Sequence, residues 1–155
     1  GFPAKSFINH GGVVVGHSDY PVSPVMSIPE AVYTAVSRAD PSGGTKKINT
    51  DEILTRKEAL ESLTTNVAYM WHEEEHMGSL KAGKLANMAV LAVDFLHDDL
   101  DTISHSAKHK NIATIVDGNI VYSAEPEEMT DTEFEELVQL LSTLYETWSA
   151  AEDIL

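Results

Sequence analysis

The chain has 155 residues, enough for one domain but short of the roughly 250 that a complete barrel of alternating strands and helices needs. Ten Lys and Arg face 25 Asp and Glu, a net charge of −15 with a pI near 4.6, which argues against nucleic acid or an anionic membrane as partner. With 43% hydrophobic residues a core can form, and the absence of cysteine excludes disulfides, thiolate-held zinc and thiol nucleophiles, so any metal must be held by His, Asp or Glu.

Gly1 to His10 lacks the basic and apolar blocks of a signal peptide, and no apolar run reaches the length of a membrane span, so a soluble cytoplasmic protein is expected. Gly12 to His17 is a β-branched run between glycines, the pattern of a strand buried on both faces, and it ends at Ser18-Asp19 ahead of Pro21 and Pro24. Ser27 and Glu30 have capping-box spacing, with Pro29 tolerated in the first turn, and predict a helix over Ile28 to Ala39 that Asp40-Pro41-Ser42-Gly43-Gly44 terminates. Lys46 to Leu54 reads as loop. Thr55 and Glu58 open a second helix with Leu60, Leu63, Val67 and Met70 on one face.

From Gly78 to Lys84 the chain is turn-rich, and Met88 to Val93 then reads as a strand. Ile112 to Val116 and Ile120 to Tyr122 flank Asp117-Gly118-Asn119, the signature of a hairpin. A last helix is expected from Thr130, with Phe134, Leu137, Val138, Leu141, Leu144, Tyr145 and Trp148 at helical intervals and a solvated face of Glu133, Glu135, Glu136 and Glu146.

Four constellations bear on chemistry. His17-Ser18-Asp19 stands where a buried strand should end, and in parallel α/β architectures an Asp there can ligate a metal and act as general base, although Asp before Tyr-Pro is also ordinary turn chemistry. His72-Glu73-Glu74-Glu75-His76 matches the zinc-protease pattern of two His one helical turn apart. Three glutamates oppose the dipole at a helix carboxyl end, however, so the helix is expected to stop near Trp71 and leave the two His on different faces, in an acidic loop. Zinc analysis of the chain and of His76→Ala would decide that reading. His105 and His109, beside Lys108 and Lys110, read as an exposed segment, and Asp98, Asp99 and Asp101 as a solvated bend without the glycine and terminal Glu of a calcium loop.

Two ordered segments carry a resemblance. Val13-Val14-Val15-Gly16-His17-Ser18-Asp19-Tyr20-Pro21-Val22-Ser23-Pro24 resembles the final barrel strand and Gly-Ser-Asp-x-Pro-Val tip of the metal-dependent amidohydrolase superfamily. Thr55-Arg56-Lys57-Glu58-Ala59-Leu60 through Asn66-Val67-Ala68 to Gly78-Ser79-Leu80-Lys81-Ala82-Gly83-Lys84-Leu85-Ala86-Asn87-Met88-Ala89-Val90-Leu91 is similar to its closing helix and Gly-Ser-Leu-x-x-Gly-Lys motif. The likeness covers about Gly11 to Tyr122 and points to the branch acting on N-substituted amides. Asn87 stands where the motif usually has Asp, and His17 where it usually has a small or apolar residue.

The resemblance implies an α/β fold that is the carboxyl-terminal fragment of a TIM-barrel enzyme: the last strand and helices over residues 1–77, part of a small β-sandwich over 78–124, and a long helix over 125–155. It implies a divalent metal, most simply zinc, whose activated hydroxide attacks an amide or cyclic amide, with Asp19 both metal ligand and proton shuttle. The family's other ligands would lie upstream of Gly1, and one carboxylate cannot hold a catalytic metal, so the chain alone is expected to bind no metal tightly and to be catalytically silent. The alternative is a non-catalytic interaction or regulatory domain descended from such a hydrolase; a His-x-His after an upstream strand would favour the enzyme, an initiator Met directly before Gly1 the remnant. Strands without neighbours also predict a homo-oligomer.

Overall fold

The computed structural model describes residues 2–19, 27–40, 46–105 and 111–124, together with Thr132, Glu135, Gln139 and Thr143. The described residues fall into two compact units, one drawn from Gly1–Ser79 and Val93–Lys110, the other from Leu80–Ala92 and Asn111–Leu155. The first is helical and the second is built on a sheet.

In the helical unit, α1 (Ala4–Asn9) is an element the sequence did not signal. It is tied down by Lys5 Nζ donating to Glu58 Oε1 at 2.5 Å and by the Ser6 N–H and hydroxyl donating to the Glu52 carboxylate. Helix α2 (Ile28–Ser37) opens with the expected capping box: the Ser27 hydroxyl accepts from the Glu30 N–H, and the Glu30 carboxylate accepts from the Ser27 N–H at 2.8 Å. It ends two residues earlier than expected, because Arg38 turns left-handed at φ 56° and the Ser37 hydroxyl accepts from the Ala39 N–H. The expected loop from Lys46 folds back on it, with Ile48 N–H donating to Arg38 O, a short 3-10 helix at Thr50–Glu52, and Leu54 N–H donating to Ala35 O.

A second capping box, Thr55 with Glu58, opens α3 (Arg56–Leu63). The single helix expected here is two: Thr64, at φ −132° and ψ −90°, breaks the chain before α4 (Thr65–Met70). The break moves burial off the expected stripe, so that Ala59, Ser62 and Ala68 are the buried positions and Met70 is exposed. Gly78 follows in a left-handed conformation at φ 86°, where a Cβ would stand 2.6 Å from the Ala68 Cβ; no other residue fits this turn against α4. The stretch read as a solvated bend contains α5 (Leu100–His105), which packs on α2 with Ile103 and Val32 fully buried. Arg56 clamps the approach to it, donating to the carbonyls of Phe95 at 3.0 Å and Asp98 at 2.5 Å.

In the other unit, β1 (Met88–Leu91), β2 (Asn111–Val116) and β3 (Asn119–Ser123) form an antiparallel sheet in that order. Met88 faces Ile115 and Val90 faces Ala113 across the first pair, and Thr114 faces Tyr122 across the second. The hairpin is the one expected: Asp117 and Gly118 both take positive φ, 49° and 75°, as a two-residue turn matched to strand twist requires. Asn87 is part of the same structure, because its side-chain carbonyl accepts from the Asp117 N–H at 2.8 Å while Gly118 N–H donates to Ala86 O. The amide at this position therefore ties the start of β1 to the hairpin turn.

The architecture is thus mixed α/β with a small antiparallel sheet, and the expected first strand also needs correction. No strand forms between Gly12 and His17; the segment is extended, and its backbone bonds go to helices rather than to a sheet. The expected final helix lies largely outside the described residues; Thr132, Glu135, Gln139 and Thr143 are helical and exposed, with the Thr143 hydroxyl donating to Gln139 O at 2.9 Å. Among the described residues no helix is long and apolar enough to cross a membrane.

Candidate functional site

The candidate site is the turn at the end of the extended segment. Gly12 N–H donates to Phe7 O, and the Phe7 ring lies so close over Gly12 that a side chain there would overlap it. Two residues on, the Asn66 amide donates to Val14 O at 2.9 Å, and Gly16 N–H donates to Ser62 O at 3.0 Å. Gly16 approaches α3 closely enough that a Cβ would sit 3.1 Å from Leu63 Cδ2. These tethers run the segment along α3 and α4 and lead it to His17, Ser18 and Asp19.

Asp19 has φ 54°, a left-handed conformation that Asp tolerates better than most residues. Its N–H donates to His17 Nδ1 at 3.0 Å, and its Oδ1 lies 3.0 Å from His17 Nε2. Both side chains face solvent, His17 at 72% and Asp19 at 65% exposure, so the carboxylate is accessible rather than sealed in an interior salt pair. Tyr20 to Met26, which carries the rest of the motif, lies outside the described residues. The contact between His17 and Asp19 was missed by sequence reasoning; their spacing of two permits it, but no pattern demands it.

The other constellations fall apart in three dimensions. As expected, α4 stops at Met70, with Trp71 as its cap. His72 takes φ 59°, and residues 72–76 run through turns, so His72 and His76 do not form the helical pair a zinc protease uses; His76 Nδ1 instead lies 2.9 Å from Glu73 Oε2. His105 ends α5 and His109 lies outside the described residues. Asp99 accepts from Thr102 N–H at 2.7 Å, which caps α5 and lowers its pKa below the usual carboxylate range. Asp94 is lowered too, first by the His97 ring at 2.7 Å and then by the Leu96 N–H. These acids serve local turns.

The family model that matches the chain is that of the amidohydrolase family, over residues 1–122. The chain belongs to the amidohydrolase family. A curated relative, the N-substituted formamide deformylase of Arthrobacter pascens, is 33% identical over 122 residues, which is 78% of this chain and 21% of that protein. The chain therefore spans about a fifth of the length of the curated relative it matches. No solved structure gives a significant match. The resemblance carried by the two motif segments is borne out, and the match extends further toward the amino terminus than those segments do, through α1.

The family generally uses a divalent metal, and the donors present can be tested against that need. His17 and Asp19 offer two neighbouring donors, whereas a catalytic site takes three or more protein ligands. Among the described residues no group of three or more His, Asp or Glu converges to hold an ion. The described residues do not make up a metal site.

Proposed function

We propose that this chain is the carboxyl-terminal part of a metal-dependent hydrolase of C–N bonds other than peptide bonds, acting on a small N-substituted amide or cyclic amide. In the intact enzyme Asp19 supplies one ligating carboxylate and carries the proton of the attacking water; the remaining ligands come from residues outside this sequence. The family membership, with the likeness to a formamide deformylase, supports the reaction class. The observation that carries the site is the exposed Asp19 carboxylate, set at a left-handed turn on a segment that α3 and α4 anchor. In this reading residues 1–77 belong to the end of the catalytic barrel, 78–124 to a small β-sandwich and 125–155 to a C-terminal helix.

The test is Asp19→Asn in the intact enzyme. Loss of a residue that relays the proton should lower kcat/KM toward an N-substituted formamide by about 10²–10⁴-fold. Unchanged turnover would remove Asp19 from the chemistry, and turnover by the 155 residues alone would show that no further ligands are needed. The chain by itself should also self-associate, because β3 is an edge strand among the described residues, with Ile120, Val121 and Tyr122 all exposed. Sedimentation across micromolar concentrations checks this, and a strictly monomeric profile would count against it.

A further inference from the structure

We propose that His17 is a positioning residue for Asp19, its imidazole fixing the turn that presents the carboxylate. The catalytic consequence rests on the role proposed for Asp19; the structural claim stands on the geometry. The Asp19 N–H donates to Nδ1 at 3.0 Å, so Nδ1 carries no proton and a neutral ring bears its proton on Nε2, which lies 3.0 Å from Asp19 Oδ1. The amide contact is the side chain to i+2 N–H bond by which Asn and Asp shape turns, made here by an imidazole. It supports the left-handed φ of 54° at Asp19.

In this chain 65% of the Asp19 side chain is exposed, so the described neighbours do not hold it by packing. A ligating or proton-carrying group must be held in place. The nearest fixed points upstream, Gly16 N–H on Ser62 O and Asn66 on Val14 O, restrain the chain one and three residues before His17, and the His17 ring carries that restraint on to Asp19.

The experiment uses ¹⁵N-labelled 155-residue chain above the ordinary imidazole titration range. The wild type should show the Nε2–H tautomer at His17 and a slowed Asp19 amide. His17→Ala should speed exchange of that amide about fivefold to tenfold, the worth of one hydrogen bond, and His17→Asn should restore it, because its side-chain oxygen can accept from the same N–H. An Asp19 amide that exchanges alike in the wild type and His17→Ala overturns the proposal. In the intact enzyme His17→Ala should lower kcat with little change in KM, and His17→Asn should recover part of the loss. If Asp19→Asn is inactive while His17→Ala behaves as wild type, the positioning role fails and the site reading stands. If Asp19→Asn is fully active, the site reading fails, and amide exchange still decides what His17 does.

Discussion

The sheet of β1, β2 and β3 and the segment from Gly12 to Ser18 draw on the same β-branched residue types and come to different ends. In the sheet, β2 pairs with a strand on either side, with one register shift in each pairing, and side chains such as Ala113 and Ile115 are carried inward. In the segment, the polar backbone is met by other means: an Asn66 amide, a helix carbonyl at Ser62, and the Phe7 carbonyl at its start. Val13 is left 45% exposed, where a strand covered on both faces would bury it. A ladder fixes every second side chain, whereas a few point tethers fix a path. That path leads to His17 and Asp19.

The difference can be broken from either side. Ile115, 5% exposed, should lose about 2–5 kcal/mol of stability on replacement by Ala, read by chemical denaturation, because a sheet with fixed register cannot collapse into the space. A loss below 1 kcal/mol would mean that the ladder does not hold the residue as described. The corresponding cut in the segment is Asn66→Ala, which leaves Val14 O without its donor; here about 0.5–1.5 kcal/mol is expected. Amide exchange should rise around Val14 and Gly16 and stay unchanged in β2. Equal disturbance of both regions would show that the tether is not local.

What the sequence reveals follows the same division. Both capping boxes and the Asp117-Gly118 turn are legible because each is settled within four residues, by a hydroxyl reaching an N–H or by two residues that can take positive φ. Thr64 is not legible as a break: the apolar spacing of Leu60, Leu63, Val67 and Met70 continues through it, and only the packing of Gly78 against Ala68 shows why the helix turns aside. Helix α5 hides among aspartates, one of which proves to be its cap. Gly12 to His17 fails as a strand for a third reason, since β-branched residues state a preference for a pleated neighbour without supplying one. At the site, Asp19 could be singled out from motif and position, while the part played by His17 depends on a turn that no spacing rule specifies.

The smallest effect concerns how the segment begins. Helix α1, which leads into Gly12, is held to α3 by the Lys5–Glu58 pair, with the two side chains only 26% and 18% exposed. The Lys5 ammonium, followed by the Thr55 N–H, lowers the Glu58 pKa from its ordinary 4.5. A folded-state pKa depressed in this way contributes stability that is fully present above the ordinary Glu value and is lost as pH falls through the lowered one. Lys5→Met should therefore cost about 0–1 kcal/mol at neutral pH. It should raise the Glu58 pKa toward the ordinary value in a carboxyl NMR titration, and its stability should converge with the wild type's in acid. Since the Thr55 capping bonds to Glu58 remain, the pKa should not recover completely. A Glu58 titration that ignores Lys5 would mean that α1 is held to the helical unit by Ser6 and Glu52 alone, and the extended segment would then begin from a looser anchor than its path along α3 requires.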